Sequence, residues 1–184
     1  GWLVVDEAFA DVAPELSLAG AVARPGLVVL RSFGKFFGLA GLRLGFLLAA
    51  PDLAETVRRA VGPWPVAGPA VAIATEALSD RRWITATRRR LSDDAARLDR
   101  AIAAGGGVVA GGTDLFRLVR SPRAAALFEA LGRRGIFVRR FAERPDWLRL
   151  GLPAGEDAWR RVAEALAVAL ALRQSEESGG IPLL

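Results

Sequence analysis

The sequence predicts an α/β region followed by a smaller α+β unit. Three observations predict it. Short apolar runs recur early in the chain, WLVV (Trp2–Val5), LVVL (Leu27–Leu30) and LRLGFLLA (Leu42–Ala49), with the length of buried strands. Between Arg81 and Ala103, Leu91, Ala95, Leu98 and Ile102 recur at spacings of three and four, which is one apolar face of a long helix. After GGG at 105–107 the pattern changes to shorter strands and helices. Strands as apolar as the first three suit a mostly parallel sheet.

The elements follow in order. WLVV is a strand that delivers Asp6 and Glu7 at its C-terminal end. The turn signal RPG leads into LVVL, and LRLGFLLA supplies the third strand. Pro51 and Asp52 open a helix through Arg59, with the acid where the helix dipole favours it. GPWPVAGP breaks the chain, and Val66–Leu78 reads as a helix with an alanine-rich packing face. The helix from Arg81 ends at the triple glycine. Strands are predicted near 108–109, 115–120, 136–140 and 147–152, and helices over Ala124–Arg133 and Glu156–Leu172. The domains expected are therefore 1–80, 81–173 and a loose polar tail over 174–184. No run of about 18 apolar residues is present, so no transmembrane helix is expected.

Composition narrows the chemistry. The chain has 184 residues and no His, Cys, Tyr or Met. Ser-His-Asp and Cys-His catalysis cannot be assembled from it, disulfides are excluded, and no metal site is expected. The lack of cysteine gives a cytoplasmic location by default. The remaining acid–base groups are carboxylates and one lysine. The net charge of +5 invites a nucleic-acid reading. The arginines nevertheless interleave with acids, as in RRRLSDDAARLDR, which is the pattern of a solvated helix face, so no nucleic-acid partner is expected.

Lys35 is the only lysine, and every other basic residue is arginine. It stands in RSFGKFFGLAGLRLG, between a strand and a run of glycines. A lysine amine attacks carbonyls only when neutral, which an apolar setting and nearby cations favour. Arginine stays protonated and cannot replace it there. GKFFG lacks the Ser or Thr of a phosphate-binding P-loop, and GLAGLRLG does not match the dinucleotide fingerprint. Ser32 and the backbone after Gly38 could hold a phosphate, with Arg43 adding a charge-assisted contact. Ligands of α/β sheets bind at the C-terminal ends of strands, where Asp6, Ser32 and Lys35 stand. Asp6 could be a counter-ion for a buried cation, or a helix cap or ion-pair partner.

DEAF followed by SFGKFFGLAGLRLG and, later, WLRLGLP resembles the fold-type-I pyridoxal-phosphate enzymes of the class I/II aminotransferase group. The resemblance covers nearly the whole chain. It implies the C-terminal part of a longer protein, with part of a large mixed-sheet domain and a small α+β domain. It implies pyridoxal 5'-phosphate as cofactor, Lys35 as its attachment point and proton carrier, Asp6 as partner of the ring nitrogen, and Ser32 and Arg43 as holders of the cofactor phosphate. Arg149 and Arg139 would grip anions of the substrate, a small phosphorylated amino acid. A homodimer is also implied. Many of these enzymes carry Tyr three residues after the aspartate, donating to the cofactor's phenolic oxygen, where this chain has Phe9. DEAF, PWPV (Pro63–Val66) and RGIFVRRF look most similar to the branch that decarboxylates threonine phosphate in cobalamin synthesis. The nearest competing branch is that of the histidinol-phosphate aminotransferases. A non-catalytic basic binding module is the distant alternative.

Overall fold

The structure, a computed structural model, describes residues 1–177, and of 168–177 the backbone only. The chain divides into two compact units, Gly1–Arg88 and a second that begins at Arg89.

The first unit is built on three strands, β1 (Leu3–Asp6), β2 (Leu27–Ser32) and β3 (Gly45–Ala49), in that spatial order. β1 and β2 are parallel, with Leu3 opposite Leu27 and Asp6 opposite Leu30. Their C-terminal ends, carrying Asp6 and Ser32, therefore lie at one end of the sheet. β3 is antiparallel to β2, with Ser32 opposite Gly45. The mostly parallel sheet expected from the apolar runs is thus a mixed one. The reason is the connection at 33–44. It contains a turn and one short 3-10 helix (Ala40–Leu42), folds over the sheet end and comes straight back, where a parallel return needs a crossover. This also shortens the third strand, because Leu42 belongs to the 3-10 turn. Val28 and Val29 of β2 are buried, whereas Leu3 and Val4 of the edge strand β1 are exposed.

Helix α1 (Pro51–Val61) and α2 (Gly68–Ser79) follow, each with a proline in its first turn, where a missing N–H costs nothing. Helix α3 (Arg81–Ala104) spans the boundary between the units. Its face of Leu91, Ala95, Leu98 and Ile102 is buried as the spacing predicts. Burying one such leucine or isoleucine side chain contributes about 1.5–3 kcal/mol. The glycines then close the helix in a Schellman motif: Gly107 N–H donates to Ile102 O at 3.0 Å and Gly106 N–H to Ala103 O at 2.9 Å. Gly106 sits at φ +64°, where a side chain would be strained.

The second unit holds an antiparallel sheet in the order β4 (Val108–Thr113), β5 (Phe116–Arg120), β7 (Trp147–Gly151), β6 (Arg139–Arg140). Helices α4 (Ala124–Arg133) and α5 (Glu156–Glu177) complete it. Its core joins Leu98 and Ile102 of α3 to Val119, Leu131, Leu148 and Trp159. The strand expected over 136–140 is only two residues long. Ile136 is consumed in closing α4, its N–H donating to Leu131 O at 2.9 Å. Helix α5 continues five residues past the predicted Leu172, through the first residues of the expected loose tail. The rest of that tail, 178–184, lies outside the described residues. Among the described residues no helix is long and apolar enough to cross a membrane.

Candidate active site

The topology gathers five of the candidate residues at one end of the first unit's sheet. Asp6 ends β1, Ser32 ends β2, Lys35 and Arg43 lie on the connection between β2 and β3, and Phe9 follows β1. The connection is anchored by aromatic side chains on both sides of the lysine. Phe33 and Phe36 are buried. Phe33 stacks on Phe37 at 4.5 Å between centroids, and Phe37 stacks on Trp83 at 5.8 Å. Phe36 meets the edge of Trp83 at 5.5 Å. With the flanking rings pulled inward, Lys35 is left exposed, and no hydrogen bond or ion pair engages its amine among the described residues. Gly34 permits a tight fold-back: a Cβ there would stand 2.9 Å from Ala40 Cα.

The other groups also keep bonding capacity. Asp6 is exposed, and its Oδ1 accepts from the Ala8 N–H at 2.9 Å, which orients the carboxylate and leaves Oδ2 without a partner among the described residues. Ser32 Oγ accepts a long contact from the Gly34 N–H at 3.4 Å, so its own proton remains to be donated. Arg43 is exposed, and among the described residues its guanidinium reaches only Ala40 O, at 3.5 Å. Its backbone is left-handed, φ +52° and ψ +40°, a conformation that arginine rarely adopts and that concentrates at functional sites. An amine, a carboxylate, a hydroxyl and a guanidinium, all with capacity to spare at one sheet end, fit an anionic heterocycle carrying an aldehyde and a phosphate. Phe9 contributes a ring and no hydroxyl. Among the described residues no group of three or more His, Cys, Asp or Glu side chains is placed to hold a metal ion.

Arg139 and Arg149 belong to the second unit. They are directly opposite each other on β6 and β7. Side chains at paired positions share a face, and like charges so placed repel. Neither forms an ion pair among the described residues. Arg139 lies over the Phe141 ring at 5.3 Å and Arg149 over the Phe116 ring at 5.1 Å. Two guanidiniums held on ring faces, with no carboxylate paired to them among the described residues, keep charge available to an anion.

Sequence reasoning missed a polar network next to Asp6. The Glu7 carboxylate is buried. It accepts from the Leu18 N–H at 2.6 Å, Ser17 Oγ–H at 2.6 Å and Arg31 Nη1 at 3.2 Å. The other nitrogen of Arg31 pairs with Asp11. Arg88 Nε donates to Asp11 O at 2.6 Å. Burial opposes ionisation of Glu7, but the Ser17 hydroxyl, the Leu18 amide and Arg31 outweigh it and hold the carboxyl below its usual value. The available signal was strand alternation, which turns Glu7 away from the side that Asp6 faces.

Comparison with known proteins gives a consistent picture. The family model for aminotransferase class I and II matches residues 1–166. The chain is similar to a threonine-phosphate decarboxylase of Pseudomonas aeruginosa, 51% identical over 90% of this chain and 50% of the relative. It is similar to another from Sinorhizobium sp, 46% identical over 91% of this chain and 50% of the relative. In structure it is similar to the histidinol-phosphate aminotransferase of Sinorhizobium meliloti, solved in complex with pyridoxal-5'-phosphate. The TM-score is 0.82 and the identity 25%, over 94% of this chain and 49% of that one. The chain thus spans about half the length of the curated relatives it matches.

Proposed function

Because the chain belongs to the aminotransferase class I and II family, we propose that it carries the lysine-bearing part of a pyridoxal-phosphate enzyme that decarboxylates L-threonine O-3-phosphate to (R)-1-aminopropan-2-ol phosphate, a step of cobalamin biosynthesis. The observation that carries the reading is the 51% identity to a threonine-phosphate decarboxylase over 90% of the chain. The paired Arg139 and Arg149 support a substrate with two anionic groups.

In this reading Lys35 Nζ would hold the cofactor, and its amine is the group that would carry a proton. Ser32 Oγ would donate to the cofactor phosphate and Arg43 would neutralise it. The Asp6 carboxylate would hold a proton on the ring nitrogen. When bound, pyridoxal phosphate supplies an electron sink for the pair left on the α-carbon. Arg139 and Arg149 would hold the substrate's phosphate and carboxylate groups. The bond to be broken is the one between the α-carbon and the carboxylate carbon: carbon dioxide would leave, and Lys35 Nζ would supply the proton that replaces it. The chain has no histidine to do this instead. Phe9 cannot donate to the phenolic oxygen, so attachment at Lys35 lacks the tuning that a tyrosine would give. The working assembly is a homodimer.

The alternative is transamination of a phosphorylated amino acid, favoured by the structural likeness to a histidinol-phosphate aminotransferase. The test is to incubate the intact protein with cofactor and threonine phosphate labelled in the carboxyl carbon. Labelled carbon dioxide is expected. No release, with amino transfer to 2-oxoglutarate instead, would overturn decarboxylation in favour of the alternative.

A further inference from the structure

We infer that Glu7 and Arg31 are positioning residues that aim the Asp6 carboxylate. This rests on the reading of Asp6 as a cofactor contact. Among the described residues the Asp6 carboxylate takes a single hydrogen bond, from the Ala8 N–H, so its direction is set by the path of residues 6–8. That path is pinned through Glu7. Its N–H donates to Leu30 O at 2.8 Å, which continues the β1–β2 pairing one residue past Asp6. Its O accepts from Ala10 N–H at 3.1 Å, and its side chain is held from two further directions, the 17–18 loop and Arg31 on β2.

Arg31 directly precedes Ser32. The Arg31–Glu7 pair therefore locks the end of the strand that carries Asp6 to the end of the strand that leads to Ser32 and Lys35. The side chains are 6% and 21% exposed for Glu7 and Arg31, so water screens the pair weakly. Arg31 is shared between Glu7 and Asp11, and Asp6 has no ion pair among the described residues. The network thus orients Asp6 without consuming its charge, which stays available to a cationic group brought by a ligand.

The test is a double-mutant cycle on the intact protein, read by the equilibrium affinity for pyridoxal phosphate and by the melting temperature of the cofactor-free form. If Glu7 acts through Asp6, E7Q weakens cofactor binding about tenfold in the wild-type background and by less than about twofold in D6N. In turnover, E7Q lowers kcat and leaves KM for threonine phosphate within about twofold. S17A, which removes one donor from Glu7 and keeps its charge, gives a smaller loss of affinity in the same sense and serves where E7Q does not fold. The inference is overturned if the E7Q penalty has the same size in D6N, or if E7Q lowers the melting temperature and leaves affinity unchanged. Should D6N bind cofactor as the wild type does, the cofactor reading of Asp6 fails first and the inference falls with it.

Discussion

Lys35 shows how much chemistry one position can fix. A guanidinium stays protonated far above neutral pH and is no nucleophile toward an aldehyde, so the attachment proposed at Lys35 requires an amine there. In the intact protein loaded with pyridoxal phosphate, borohydride reduction followed by peptide mass spectrometry is expected to place the cofactor's mass on the Lys35 peptide. K35R should fold and carry none, and cofactor fixed elsewhere would refute the assignment. Glu7 makes a different prediction. Its folded-state carboxyl titrates below its unfolded value, so the unfolded chain binds the proton first as pH falls. The stability this group contributes is complete above the ordinary glutamate value of about 4.3 and is lost as pH drops through that value to the lower folded one. Melting temperature against pH should therefore fall less steeply on the acid side in E7Q than in the wild type. Lys35 was legible in the sequence because composition isolates it. The Glu7–Arg31 pair was not, because its members are 24 residues apart and meet only through the parallel register of β1 and β2.

Single elements carry the next set of outcomes. Gly34 faces Ala40 across the lysine turn, and the atom in the way is backbone, which cannot swing aside. G34A should destabilise the first unit by about 1–3 kcal/mol and weaken cofactor binding together with stability. In the second unit Leu98 is fully buried, and L98A should cost about 2–5 kcal/mol by chemical denaturation. The β6–β7 pair predicts a ligand effect. Arg139 and Arg149 face each other across the ladder, and an anion bound between them would relieve their repulsion. Inorganic phosphate should therefore raise the melting temperature of the wild type in proportion to occupancy and fail to do so in R149A at equal ionic strength. Helices were the most legible elements, since Leu91, Ala95, Leu98 and Ile102 declare a buried face by spacing alone. Strand direction and length were not. The return of β3 depends on how the 33–44 connection folds, and β6 is cut short because Ile136 serves the end of α4.

At the scale of the whole chain, the edge strand β1 decides the behaviour of residues 1–184 by themselves. Trp2, Leu3 and Val4 are 68%, 58% and 59% exposed, although they form the apolar run that the sequence marks as a buried strand. Among the described residues, backbone donors and acceptors on the outer side of β1 have no strand beside them, and β2 is its one neighbour in the sheet. An exposed, apolar edge with open hydrogen-bonding groups is a template for pairing with another chain. The curated relatives are about twice as long as the matched region, so in them there is additional chain that could meet such an edge. Residues 1–184 purified alone should therefore self-associate at micromolar concentration, bind a hydrophobic dye, and retain pyridoxal phosphate poorly. Light scattering with size exclusion would measure the first. Replacing Leu3 and Val4 with lysine should shift the population toward monomer, because a charged edge resists strand addition. A monomeric wild-type chain with no dye binding would show that β1 is not the edge that drives association, and the lysine substitutions would then leave the elution position unchanged.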